Sequence, residues 1–160
     1  MIIRANRKRG MKNHKGFTLM EALITISIII IVTTIAVPQF QRMARNGNLR
    51  AAARDITGDF ANMRERAISE NQNFSIVFDQ THNNYTVPGI ATPKSPATIA
   101  GEISITGVTF ANGGSTLTFV TRGTISPTGT NRITLANGLG STATITLLTA
   151  GKIYVQFNLH

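Results

Sequence analysis

The sequence contains no cysteine and no tryptophan, and only seven of its 160 residues are acidic. Without cysteine there is no disulfide framework and no thiolate metal site. That absence leaves the compartment open, because exported domains also do without disulfides. Charged residues make up only 14% of the chain, and no G-x-S-x-G, P-loop or H-E-x-x-H motif occurs. The histidines are His14, His82 and His160. Of these, His82 lies beside Asp79, and two candidate ligands without a third read as turn residues rather than as a metal site. The expectation is a protein that is not an enzyme and carries no cofactor and no metal.

Acids are also missing from the start of the chain. Arg4, Arg7, Lys8, Arg9, Lys12 and Lys15 precede Phe17 with no Asp or Glu among them. The net charge of +9 therefore sits mostly in this tail, and the chain from Phe17 onward carries ten basic and seven acidic residues. The overall basicity is thus a poor guide to partners.

Behind the tail comes a nearly unbroken apolar run from Phe17 to Val37, ended by Pro38 and interrupted by Thr18, Glu21, Thr25, Ser27, Thr33 and Thr34. As a helix it would span roughly 32 Å, enough to cross a bilayer core. It is longer than a signal-peptide core, and no small-x-small cleavage site lies beyond it. The excess of basic residues before it places the N-terminus in the cytoplasm and the rest of the chain outside. Glu21 is the anomaly, because a carboxylate inside a membrane helix is costly and normally faces a partner.

Leader, Gly16-Phe17-Thr18-Leu19-Met20-Glu21 and apolar run together resemble the processing signal of type IV prepilins and type II secretion pseudopilins. The resemblance implies that a membrane prepilin peptidase cuts between Gly16 and Phe17, and that the new amino group of Phe17 is methylated. It also implies that Glu21 pairs with the N-terminal amine of a neighbouring subunit during assembly. The same amine could meet Glu21 within one helix at i, i+4 spacing. Glu21 and Pro38 are the expected assembly residues, and other pilins the expected partners.

Beyond Pro38, which removes a backbone donor and should kink or loosen the helix, apolar residues recur at Leu49, Ala53, Ile56, Phe60, Met63 and Ala67. That is one stripe of an amphipathic helix. Asp55, Asp59, Glu65 and Glu70 read as a solvated or subunit-facing surface, with Arg66 and Glu70 as an i, i+4 pair. Residues 73–78 read as a strand, residues 80–84 as a turn into Tyr85-Thr86-Val87, and 88–101 as a loop without regular structure. Alternating segments come next at Ile103/Ile105, Val108/Phe110, Leu117/Phe119, Ile133/Leu135, Ile145/Leu147 and Ile153 to Leu159. The expected organisation is a leader over 1–16, a transmembrane helix over 17–37, its amphipathic continuation over 38–70 and a β-rich periplasmic head over 71–160. The fold class is α+β and pilin-like: a long N-terminal helix packed against an antiparallel sheet.

Phe119-Val120-Thr121-Arg122-Gly123-Thr124-Ile125, then Ile133-Thr134-Leu135, Ile145 and Gly151-Lys152-Ile153-Tyr154-Val155, resemble the GspH/FimT branch of minor pseudopilins. This implies a minor subunit that joins or primes a secretion pseudopilus or a type IV pilus at the bacterial inner membrane. Some FimT-type members bind DNA during natural transformation through a C-terminal Gly-Arg-x-Arg element. Here that place reads Gly151-Lys152-Ile153-Tyr154, which keeps a phosphate contact without the bidentate fork of arginine. The alternative is therefore a DNA-binding minor pilin, with Arg122, Arg132 and Lys152, joined by Lys94, on phosphates and Tyr154 stacking on a base. The competing reading is that these cations simply keep a Thr/Ser-rich head soluble.

Overall fold

The computed structural model describes residues 16–99 and 101–160. The basic leader residues Arg4 to Lys15 lie outside them. The chain divides into two compact units, Met1–Pro38 and Gln39–His160.

In the first unit, helix α1, which extends over Leu19–Ser69, begins behind Thr18. Thr18 is its N-cap: the hydroxyl Oγ1 accepts the backbone N–H of Glu21 at 3.2 Å, satisfying one of the donors that a helix start leaves unpaired. Up to Pro38 the helix is long and apolar enough to cross a membrane, and every large apolar side chain from Phe17 to Val37 is exposed. The hydroxyls that interrupt the run bond back to their own helix. Thr25 donates to the Glu21 carbonyl at 2.7 Å, Ser27 to Leu23 at 2.8 Å, Thr33 to Ile29 at 2.8 Å and Thr34 to Ile30 at 2.8 Å. Such back-bonding removes the penalty of an unpaired hydroxyl in apolar surroundings. α1 runs through Pro38.

In the second unit the apolar stripe of α1 faces a core, as its spacing predicts. Leu49, Ala53, Ile56, Phe60 and Ala67 are fully buried and Met63 nearly so, with Ala52 added to the set. Among the described residues eight strands and one short helix complete the unit: β1 Phe74–Asp79, β2 Asn84–Thr86, α2 Pro96–Ile99, β3 Ser104–Thr109, β4 Thr116–Phe119, β5 Ile125–Ser126, β6 Thr130–Ala136, β7 Thr142–Leu148 and β8 Ile153–Asn158. They form two four-stranded antiparallel sheets, β2-β1-β4-β5 and β3-β6-β7-β8, rather than one. The split arises because β1 takes β4 as its neighbour, so the intervening β3 pairs with β6 instead.

Three local features differ from the pattern read in the sequence. The segments Ile103/Ile105 and Val108/Phe110 belong largely to one strand, β3, with a register shift between Ile105 and Gly107. That bulge inverts the odd–even alternation, so Ile105 is buried and Val108 still packs on the core. The stretch 88–101 is not wholly irregular: it contains α2, and Lys94 bridges Tyr85 by paired backbone hydrogen bonds of 2.8 Å. The third is the pair of acids Asp55 and Asp59, which are not a solvated surface. Lys94 Nζ reaches both carboxylates at 2.7 Å, and the buried Tyr85 hydroxyl donates to Asp59 at 2.8 Å. Only Glu65 and Glu70 stay on the surface, Glu70 pairing with Arg66 at 2.8 Å.

This cluster ties the 88–101 segment to α1. Burial raises the Tyr85 pKa, and the hydrogen bond to the Asp59 carboxylate raises it further, so the phenol stays protonated as a donor. For Lys94, desolvation lowers the pKa, but the two aspartates outweigh it and the net shift is upward.

Candidate functional site

The N-terminal motif is laid out along one short stretch. Gly16 and Phe17 precede the helix, and the Phe17 side chain is 77% exposed. Thr18 caps, and Glu21 stands in the first turn. Thr18-Leu19-Met20-Glu21 has the spacing of a capping box, a signal that the sequence displays and that explains Thr18 but not the acid. Only the Thr18 half of the box is made. Glu21 contributes its backbone N–H to the cap, while its carboxylate makes no hydrogen bond or ion pair among the described residues.

In the head, the sequence-predicted cations and Tyr154 separate into three groups. Arg132 on β6 and Tyr154 on β8 both register with Thr146 of the intervening strand β7. They therefore share one row on the outer face of the second sheet, two strand spacings or about 10 Å apart. Lys152 lies at the end of the same face, its carbonyl accepting from Leu148 N at 3.0 Å, opposite Thr130 across β7. Threonines 130, 134, 142, 144 and 146 fill much of the rest of that face.

Arg122 comes from the other sheet, on the β4–β5 turn. Its neighbour Gly123 abuts Gly151, next to Lys152. A Cβ on Gly151 would stand 2.6 Å from the Gly123 carbonyl oxygen and 2.7 Å from Arg64 Nε, and Gly151 also has φ 77°. Arg64 Nε donates to that same carbonyl at 2.9 Å. The glycine of the Gly151-Lys152 element is thus required by packing between two turns, whatever the surface binds. The contact brings Arg122 and Lys152 to one corner of the head.

Lys94 does not join them, because Asp55 and Asp59 hold it. This corrects its assignment to a phosphate-binding set. Asp79 and His82 form their own exposed pair. His82 Nδ1 lies 2.6 Å from Asp79 Oδ2, and the His82 backbone N–H donates to Oδ1 at 3.1 Å. The side-chain hydrogen bond to His82 lowers the Asp79 pKa, and the arrangement is a side-chain-closed turn. Among the described residues no group of three potential ligands surrounds a metal position.

An exposed apolar helix headed by this motif, with a helix-backed double sheet after it, is a pilin-like fold. Residues 11–37 match the family model described as the prokaryotic N-terminal methylation motif. The fold is that of the type IV minor pilin FimU from Pseudomonas aeruginosa, solved in two crystal forms. The first matches at TM-score 0.52 and 18% identity, covering 71% of this chain and 92% of that one. The second matches at TM-score 0.50 and 16% identity, covering 68% and 92%. No curated protein matches the chain.

Proposed function

We propose that this chain is a minor pilin-like structural subunit, anchored in the bacterial inner membrane by the first part of α1 with its head in the periplasm. In this reading a prepilin peptidase removes residues 1–16, Phe17 becomes an N-methylated terminus, and the subunit joins or primes a filament of other pilins. The observation that carries it is the joint presence of the methylation motif over residues 11–37 and the minor-pilin fold. Within pilin-like chains we assign it to the GspH/FimT branch, on the residues around Arg122–Gly123 and Gly151–Tyr154. The test is mass spectrometry of the membrane-extracted protein. The expected N-terminal peptide starts at Phe17 and carries one added methyl group, and Gly16→Val should leave the leader attached. An intact leader in the wild type would remove the proposal.

A second reading is DNA binding by the head. It is supported by the shared row of Arg132 and Tyr154 and by the corner formed by Arg122 and Lys152. If these residues hold phosphates, mobility shifts of DNA should weaken with salt. The Arg132→Ala/Lys152→Ala variant should then bind about tenfold more weakly or worse. Absence of any shift at low salt would leave the structural role alone.

A further inference from the structure

A groove of about 550 Å³ lies between the first turns of α1 in the Gln39–His160 unit and the segment after β8. That segment is pinned to the head, with His160 N donating to Ser141 Oγ at 2.9 Å and Asn46 Nδ2 donating to the main-chain oxygen of His160 at 3.2 Å. Arg42 and Arg50 line the groove together with Met43 and Leu159, and no Asp or Glu side chain does. Among the described residues neither arginine has a carboxylate within ion-pair distance; Arg50 instead stands over the Phe157 ring, 5.8 Å from its centroid.

The surroundings distinguish among anions. Phe40 and Met43 are 71% and 73% exposed, more than any other large apolar side chain described in Gln39–His160. Solvated apolar side chains interleaved with arginines suit the boundary between headgroups and acyl chains, where amphipathic groups gain from both phases. They contribute nothing to holding a free phosphate. Arg42 also stands only five residues after Val37, the end of the apolar run.

We propose that this groove binds the headgroup of an anionic phospholipid, with Arg42 and Arg50 gripping the phosphate and Met43 and Leu159 meeting the glycerol and upper acyl chain. The inference rests on the membrane-anchored reading above. A guanidinium offers a planar fork to phosphate oxygens, and a cation at an anionic membrane surface gains roughly fivefold in association.

Because the chain has no cysteine, a single reporter can be placed at will. The exposed Ala44 lies beside the groove without lining it. Full-length protein carrying a fluorophore on Ala44→Cys would be reconstituted in nanodiscs of phosphatidylcholine with a minor fraction of phosphatidylglycerol. Spin-labelled phosphatidylglycerol should quench it several-fold more effectively than spin-labelled phosphatidylcholine at equal fraction. That preference should vanish in Arg42→Gln/Arg50→Gln, whose sites are exposed and leave the core intact. Equal quenching by the two lipids overturns the inference. So does full displacement by millimolar glycerol phosphate or by an oligonucleotide, since each would mark a general anion site. A second label at Ile30→Cys reports insertion independently. If it escapes quenching by acyl-chain spin labels, the membrane reading itself fails; if it is quenched while Ala44 shows no lipid preference, only the lipid site fails.

Discussion

Phe60→Ala is expected to destabilise the head by about 3–5 kcal/mol, the usual cost of deleting a buried phenylalanine. Phe60 is fully buried and is the aromatic side chain that α1 sends into the core. Its ring centroid lies 6.1 Å from that of Phe78 on β1 and 5.9 Å from that of Phe119 on β4. Phe78 in turn stacks on Tyr85 at 5.4 Å and meets Phe110 edge-on at 5.9 Å. Truncation therefore removes apolar burial and two aromatic pairs, each contributing about 0.5–1.5 kcal/mol beyond area. The helix cannot move in to close the cavity, because Ile56 and Met63 are buried one turn to either side. Thermal unfolding of the detergent-solubilised chain should show a midpoint lowered by roughly 10 °C or more. A change under about 1 kcal/mol would contradict the packing described.

Glu21→Ala is expected to leave membrane insertion intact and to reduce incorporation into filaments by about tenfold or more, on the proposed assembly role. The two halves of this prediction come from different atoms. The helix start uses the backbone N–H of residue 21, donated to Thr18 Oγ1, and alanine retains it. The carboxylate has no partner among the described residues, so its removal breaks no contact described there, and losing an acid from an apolar run eases insertion. In a packed filament the loss would strand the amine of Phe17, and a buried charge deprived of its partner costs about 3–5 kcal/mol. Glu21→Gln should behave like alanine, because it restores polarity and size without charge. Fractionation of sheared filaments from membranes gives the readout; wild-type incorporation of either variant would sink the charge-pair role.

Much of this architecture is legible in the sequence. The stripe Leu49, Ala53, Ile56, Phe60, Met63 and Ala67 needs only helical period and apolarity, and all of it is buried. The segments that form β4, β6 and β7 show alternation strong enough to mark which apolar residues face inward, whereas Val77 in β1 and Phe157 in β8 are apolar yet exposed. The rest depends on long-range contacts that leave little local trace. β5 is two residues long, too short for any period to register. The β3 bulge replaces one alternating pattern by two of opposite parity, which reads in sequence as two segments. Asp55 and Asp59 look like surface acids because their partners, Tyr85 and Lys94, come from 26 or more residues away.

The candidate sites divide in the same way. Gly16, Phe17 and Glu21 are nearly contiguous, so their pattern survives as a string. Arg132 and Tyr154 are neighbours only through the register of β6, β7 and β8. In the sequence they stand 22 positions apart, and nothing local shows that Gly123 and Gly151 touch or that Lys94 is occupied elsewhere.

The back-bonded hydroxyls of Thr25, Ser27, Thr33 and Thr34 bear on transfer between environments. Each keeps its partner within its own helix, so exchanging lipid for neighbouring helices reshuffles dispersion contacts and no hydrogen bonds. If the helix anchors the chain as proposed, these hydroxyls set no preference between lipid and protein surroundings, and the polar side chain of the apolar run left without a partner among the described residues is the Glu21 carboxylate.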